Sequence, residues 1–407
     1  MNPLDIIIVS NSPGELSAFV QPTVEELSRR FNNARIILTF TPCQYATGRE
    51  LEEARKFPGV SEIIIPQEYK KWLLKNRPPQ GIKFRDKGIV IFMGGDLMHA
   101  ALISKKLKYP AIAYTQKHAQ WQKDFVKFLV PDEASFNTLL KKGIHAEKIR
   151  VTGDLMVDSV PRAIDSKYMT EKWKINPANP VVSFLPGSRI FAIKHMLPMF
   201  LNAANMMKKV MPQLQFLFVT SPYTSDDEIR DLLKDEGIIY SQGEHRFIQS
   251  KKGLRAQIIK NERFEAIALS DLVVTIPGTN TAQIAAMGKP MLVVFPVDKA
   301  HTIPFEGVID LICRIPIIGM IIKKILVYII NARTKFYALP NLKAGKEVAP
   351  ELRGKVTAKM VAANAVKCLN DPAFLSQISE DLVKTMGKRG AAGEIADEVA
   401  RIAERNT

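Results

Sequence analysis

The sequence predicts an α/β protein made of two doubly wound halves facing across a cleft. Short apolar runs rich in β-branched residues alternate with helical stretches, and Gly-containing turns stand where strands give way to helices. The length of 407 residues also asks for two or three domains of ordinary size.

The elements follow in order. Residues 6–10 form a buried strand, and Asn11-Ser12-Pro13-Gly14-Glu15 turns the chain toward a helix over 23–31. Strands are expected at 35–40 and 87–92, the second closed by Gly94-Gly95-Asp96 and a helix through Lys105. Short strands at 111–114 and 128–130 complete a parallel sheet covered on both faces. Residues 162–180 read as a linker, since Asn-Pro occurs at 176–177 and again at 179–180. A second series then begins, with strands at 181–185, 214–219, 272–276 and 291–295 and helices at 196–211 and 282–287. The domains expected are 1–165, 180–350 and a helical tail, 351–407, packing back toward the first.

Composition bounds the function. At 46% hydrophobic and 24% charged, the chain is not disordered. Its 57 Lys and Arg against 41 Asp and Glu leave a net charge of +16, which calls for an anionic partner: nucleic acid, a phosphorylated small molecule or an anionic membrane. Cys43, Cys313 and Cys368 offer neither a disulfide framework nor zinc spacing, so a reducing cytosol is expected. The N-terminus lacks a basic lead and a long apolar run, so it does not read as a signal peptide.

Residues 307–333 break the α/β pattern. They are apolar on nearly every face, interrupted by Asp310, Arg314, Lys323 and Lys324, and too short in any uncharged run to span a bilayer. Two readings stand: a helical patch lying in a membrane interface with its lysines at headgroup level, and a buried helix pair. The basic surplus favours the first.

Three strand-to-helix turns carry the candidate chemistry: Gly14-Glu15, Gly187-Ser188-Arg189 and Gly278-Thr279-Asn280-Thr281. In open α/β sheets ligands bind beyond the carboxyl ends of the strands. Glycine lets backbone approach closely, N–H groups at a helix start attract phosphate, and Arg189 adds a forked cation suited to a diphosphate. Asp96 is either an exposed general base or a helix N-cap, and the residues alone do not separate the two. His99, three positions on, shares its helix face. No metal-ligand spacing occurs, and GxxxxGK[ST], GxGxxG, GxSxG and Asp-x-Asp are all absent. No basic–aromatic alternation marks a nucleic-acid face, so nucleic acid is not an expected partner.

Together these residues resemble the lipid-A-disaccharide synthase family, membrane-associated glycosyltransferases of the GT-B type with two Rossmann-like domains. Phe184-Leu185-Pro186-Gly187-Ser188-Arg189 is similar to the family's Leu-Pro-Gly-Ser-Arg turn. The run from Pro277 through Gln283 is similar to its Ser-Gly-Thr helix start, and Leu339-Pro340-Asn341-Leu342 to its Pro-Asn-Leu signature. Gly14-Glu15 with Ser17 resembles its Gly-Glu-x-Ser turn, and Asp96 falls where the family has its catalytic Asp. The chain departs from the family at Ala18-Phe19, at Gln283, and in the stretch Thr115 to Trp121.

The resemblance implies an inverting, metal-independent transfer of an acylated glucosamine unit from a UDP-sugar to a membrane lipid, at the cytoplasmic face of the membrane. It implies Asp96 and Glu15 as catalytic residues and Gly14 and Ser17 as acceptor contacts. The nucleotide-sugar contacts it implies are Gly187, Ser188, Arg189, Gly278, Thr279, Asn280, Thr281, Gln283 and Asn341. Neither metal nor other cofactor is implied beyond the donor. A related enzyme on a different lipid and a UDP-sugar epimerase are the alternatives.

Overall fold

The computed structural model describes residues 3–42, 49–221, 224–297 and 332–405. The apolar stretch expected at the membrane, 307–333, lies outside the described residues except for its last two positions. Two compact units result: Met1–Ser159 with Gly387–Thr407, and Val160–Met386.

The first unit is built on seven parallel strands: β1 (Asp5–Ser10), β2 (Arg35–Phe40), β3 (Val60–Ile64), β4 (Gly88–Phe92), β5 (Ala111–Tyr114), β6 (Lys127–Val130) and β7 (Ile149–Val151). Their order is β3-β2-β1-β4-β5-β6-β7. All six residues of β1 are buried because both faces of the sheet are covered. Ile6 and Ile8 face one way, with Val24 and Leu27 of the helix Gln21–Arg30 and Ile395 and Val399 of the helix Ala391–Arg405. Ile7 and Val9 face the other, with Trp72, Leu97 and Ala101. The two-residue period of a strand sorts the side chains this way.

The second unit holds eight strands: β8 (Val181–Leu185), β9 (Gln215–Val219), β10 (Gly237–Gln242), β11 (His245–Ser250), β12 (Arg255–Ile259), β13 (Leu272–Thr275), β14 (Met291–Pro296) and β15 (Glu351–Gly354). The order is β10-β11-β12-β9-β8-β13-β14-β15, parallel except where β11 runs antiparallel to β10 and β12. Phe184 stacks on Phe218 at 5.1 Å between ring centroids, under the long helix Ile190–Val210 and the helix Ala358–Leu369.

Both sheets share one topological feature. In the first, the chain starts at β1, winds outward to β3, then restarts on the other side of β1 with β4. In the second it starts at β8, winds outward through β9 to the hairpin, then restarts beside β8 with β13. The crevice at each reversal is where an open α/β sheet takes its ligand. The candidate turns leave these very strands.

Two expectations about organisation change. Residues 162–180 are not a bare linker: Ser166–Trp173 forms a helix, capped by Asp165 through a 2.9 Å bond from Tyr168 N. The tail does not move as one piece. Ala358–Leu369 and Pro372–Met386 pack in the second unit, and only Ala391–Arg405 belongs to the first.

Candidate active site

The first crevice is framed by the turns after β1 and β4. After β1 the chain makes a helical turn, Pro13–Glu15, and then a π-helical turn, Leu16–Val20, before the regular helix Gln21–Arg30. Such π turns gather at functional sites, and nothing in the local sequence announced this one. Leu16 N donates to Ser12 O at 3.0 Å and Ser17 Oγ to Gly14 O at 3.3 Å.

This turn carries the Glu15 carboxylate inward. Oε2 accepts from Ser10 Oγ at 3.4 Å, Asn11 N at 3.4 Å and Ser12 N at 3.3 Å. Burial pushes the Glu15 carboxyl above its ordinary value, opposed by donors from Asn11, Ser12 and Gly95. The partner surface is the backbone after β4. A Cβ on Gly94 would lie 1.9 Å from Glu15 Oε2, so only glycine leaves room for the carboxylate. Gly95, at φ +87°, sits where a Cβ would meet the Asn11 amide at 2.8 Å. Residues about 80 positions apart thus interlock at the reversal between β1 and β4.

Asp96 follows, exposed, at the N-cap of the helix Leu97–Leu107. Its Oδ1 accepts from Met98 N at 2.8 Å. The cap reading is therefore realised, and it is compatible with a base: the cap fixes the carboxylate at the strand tip. Behind it Tyr69 Oη lies 2.6 Å from His99 Nδ1, with the rings edge to face at 5.3 Å. Neither Tyr69 nor this pairing was foreseen from the sequence.

In the second unit the turns after β8 and β13 lie side by side. Gly187, at φ +102°, is pressed against Ile276: a Cβ there would come within 2.6 Å of Ile276 Cδ1. Ser188 and Arg189 are exposed, and Arg189 is the N-cap of the helix Ile190–Val210. Gly278, at φ +152°, is the N-cap of the helix Thr279–Ala286. Neither cap residue supplies a side-chain acceptor to its helix. Two helix starts with a guanidinium beside one of them suit a bound diphosphate.

The other predicted contacts turn inward. Asn280 Nδ2 donates to Thr275 Oγ1 at 2.7 Å. Thr281 Oγ1 donates to Gly278 O at 2.8 Å and accepts from Leu339 N at 3.1 Å. Gln283 is buried. Asn341 is fully buried: its Oδ1 accepts from Val348 N and Ala349 N at 2.8 and 2.9 Å, and its Nδ2 donates to Ala349 O and Glu351 Oε1 at 2.8 and 2.9 Å. That uses every hydrogen-bonding position of the amide. The Asn341 side chain therefore pins a turn, with its amide fully engaged inside the unit. Glu351 completes this network by accepting from Tyr337 N and Ala338 N at 3.1 and 2.8 Å.

Among the described residues no cluster of three or more His, Cys, Asp or Glu is placed to hold a metal ion, and no helix is long and apolar enough to cross a membrane.

A family model described as lipid-A-disaccharide synthetase matches residues 113–305. The chain is similar to the lipid-A-disaccharide synthases. The enzyme of that name from Geobacter sulfurreducens is 23% identical over 246 residues, 60% of this chain and 54% of that one. Lipid-A-disaccharide synthase 2 of Legionella pneumophila strain Lens is 26% identical over 334 residues, 77% of this chain and 74% of that one. The chain thus spans about half the length of the first of these synthases, and about three quarters of the second. Among solved structures, the UDP-GlcNAc 2-epimerase of Neisseria meningitidis bound to UDP-GlcNAc aligns with a TM-score of 0.59 at 14% identity, covering 98% of this chain and 100% of that one. That likeness shows the fold, GT-B.

Proposed function

We propose that the protein is an inverting glycosyltransferase of the lipid-A-disaccharide synthase type. It moves an acylated glucosamine unit from a UDP-sugar to a lipid acceptor held in an anionic membrane surface, at the cytoplasmic face. The observation that carries this reading is the pairing of turns at each sheet reversal: a carboxylate pair in the first unit, and an Arg-flanked double helix start in the second.

Each unit then has one task. In the second, Arg189, Gly187 and Ser188, with the N–H groups of the helix start at Gly278 and Thr279, hold the donor diphosphate. They meet the negative charge that grows on UDP as it leaves, where preorganised donors act most strongly. Asn280, Thr281 and Gln283 hold that helix start in shape. In the first, Asp96 accepts the proton of the acceptor hydroxyl as its oxygen attacks the anomeric carbon. Glu15, backed by Gly94, shapes the crevice, and Gly14 and Ser17 line the acceptor side. The leaving group is stabilised by protein dipoles, so the proposed reaction proceeds without a divalent metal.

The protein is incubated with acylated UDP-glucosamine, with and without acylated glucosamine 1-phosphate, in EDTA. UDP released only when acceptor is present supports the transferase. A UDP-sugar isomerised without acceptor supports the epimerase reading, which the fold likeness alone keeps in play.

A further inference from the structure

The helix that begins at Asp96 holds a group the transfer chemistry has not used. His99 is the third residue after the cap, the position from which a helical side chain reaches back toward its cap. Its neighbours on that helix, Leu97, Ala100 and Ala101, are buried apolar residues, while the imidazole is half-buried and packs edge to face on Tyr69. Its Nδ1 lies 2.6 Å from the hydroxyl of Tyr69, carried on the helix Pro66–Lys75, and Tyr69 is only 2% exposed. A hydroxyl buried to that degree with an imidazole nitrogen at that distance is a committed pair.

The 2.6 Å contact can run in either direction, and the tautomer of the ring decides which. Burial raises the Tyr69 phenol far above its ordinary value, reinforced by the Asp96 charge, so it keeps its proton. Burial lowers His99, while Asp96 pulls the other way. A neutral ring facing a phenol donor accepts at Nδ1 and carries its own proton on Nε2.

We propose that His99 is a further substrate contact of the reaction, donating from Nε2–H to a hydroxyl of the acceptor sugar beside Asp96, with Tyr69 as the positioning residue that fixes its tautomer. This rests on the transferase reading above. Held as a neutral donor, His99 orients the sugar without competing for the proton that Asp96 must take. The ligand class is a polyhydroxylated ring, since a neutral N–H donor discriminates hydroxyl oxygens by direction and adds no net charge.

The test compares His99→Leu, His99→Gln and Tyr69→Phe with the wild type. His99→Leu raises the acceptor KM about three- to tenfold, the loss of one neutral hydrogen bond, and leaves the donor KM unchanged. His99→Gln, whose amide still donates, restores most of the loss. Tyr69→Phe has a smaller effect that disappears when added to His99→Gln. Separately, nitrogen-15 NMR of the histidine-labelled protein shows unprotonated Nδ1 at His99 in the wild type and a tautomer mixture in Tyr69→Phe. An unchanged acceptor KM in His99→Leu, or protonated Nδ1 in the wild type, overturns the inference. A wild type that transfers no sugar overturns the functional reading and the substrate contact with it, whereas turnover with an indifferent His99→Leu overturns this inference alone.

Discussion

Glu15 and Asp96 are two carboxylates of one crevice in opposite settings. Asp96 is exposed and capped by one backbone N–H; Glu15 is held under three donors against bare glycine backbone. A positioned base contributes about 10²- to 10⁴-fold, so on the proposed roles Asp96→Asn loses turnover on that scale while UDP affinity, which that proposal assigns to the second unit, stays within about twofold of wild type; titration of both proteins with UDP checks it. Glu15 gives a prediction of opposite sign. Its carboxyl ionises above the ordinary value of 4.5 in the folded state. The unfolded chain therefore loses that proton first as pH rises, and the native state carries the burial penalty in full above its own raised value. Glu15→Gln removes the penalty. Its melting temperature exceeds that of the wild type at pH 7, and the gap closes below the ordinary carboxylate value, while transfer activity falls. A melting curve lower than wild type at pH 7 contradicts the assigned environment.

At the scale of elements, the second unit's two helix starts form one device because Gly187 lets the β8 turn close onto Ile276. Arg189→Ala removes a charged hydrogen bond worth about 1.5–3 kcal/mol, so UDP binding in EDTA weakens roughly 10- to 150-fold. Gly187→Ala adds a Cβ at a positive φ, 2.6 Å from Ile276, and weakens UDP as well although it removes no ligand contact. Calorimetry of both variants checks this, and binding that appears only with Mg²⁺ or Mn²⁺ contradicts the metal-free mechanism. The strands behind these turns were legible because buried parallel strands read as unbroken runs such as DIIIVS and VVSFL. The hairpin of β10 and β11 was not, since its 237–250 stretch mixes polar and apolar residues around Gly243 and resembles a loop. The π turn at 16–20 was illegible for a different reason: it arises where Glu15 must reach Gly94, a contact that local propensity does not encode. Asn341 marks the same boundary. Its residue type fits a ligand contact and a turn pin equally, and the sequence does not show the partners at Val348, Ala349 and Glu351 that make it a turn pin.

For the whole molecule, the surplus of +16 and the apolar stretch at 307–333 belong together if the acceptor is a membrane lipid. Each basic residue near an anionic surface contributes about 1 kcal/mol. Joint replacement Lys323→Glu and Lys324→Glu reverses two charges and releases much of the protein from phosphatidylglycerol vesicles, and rising salt does the same to the wild type. Sedimentation that the replacements leave unchanged contradicts docking through this stretch. The two-unit architecture was legible from the repeated alternation of strand and helix. The division of the C-terminal helices was not, because an amphipathic face such as that of Ala391–Arg405 announces burial without naming the sheet that buries it. The central claim is metal-free inverting transfer driven by Asp96. It is tested most directly by one reaction of acylated UDP-glucosamine with acylated glucosamine 1-phosphate in EDTA, read by NMR at the newly formed anomeric centre. The account predicts a disaccharide whose anomeric configuration is opposite to that of the donor, made by the wild type and at least a hundredfold more slowly by Asp96→Asn, as expected for about the lower limit of a lost general base. A product that keeps the donor's configuration, or one formed equally fast by Asp96→Asn, would contradict it.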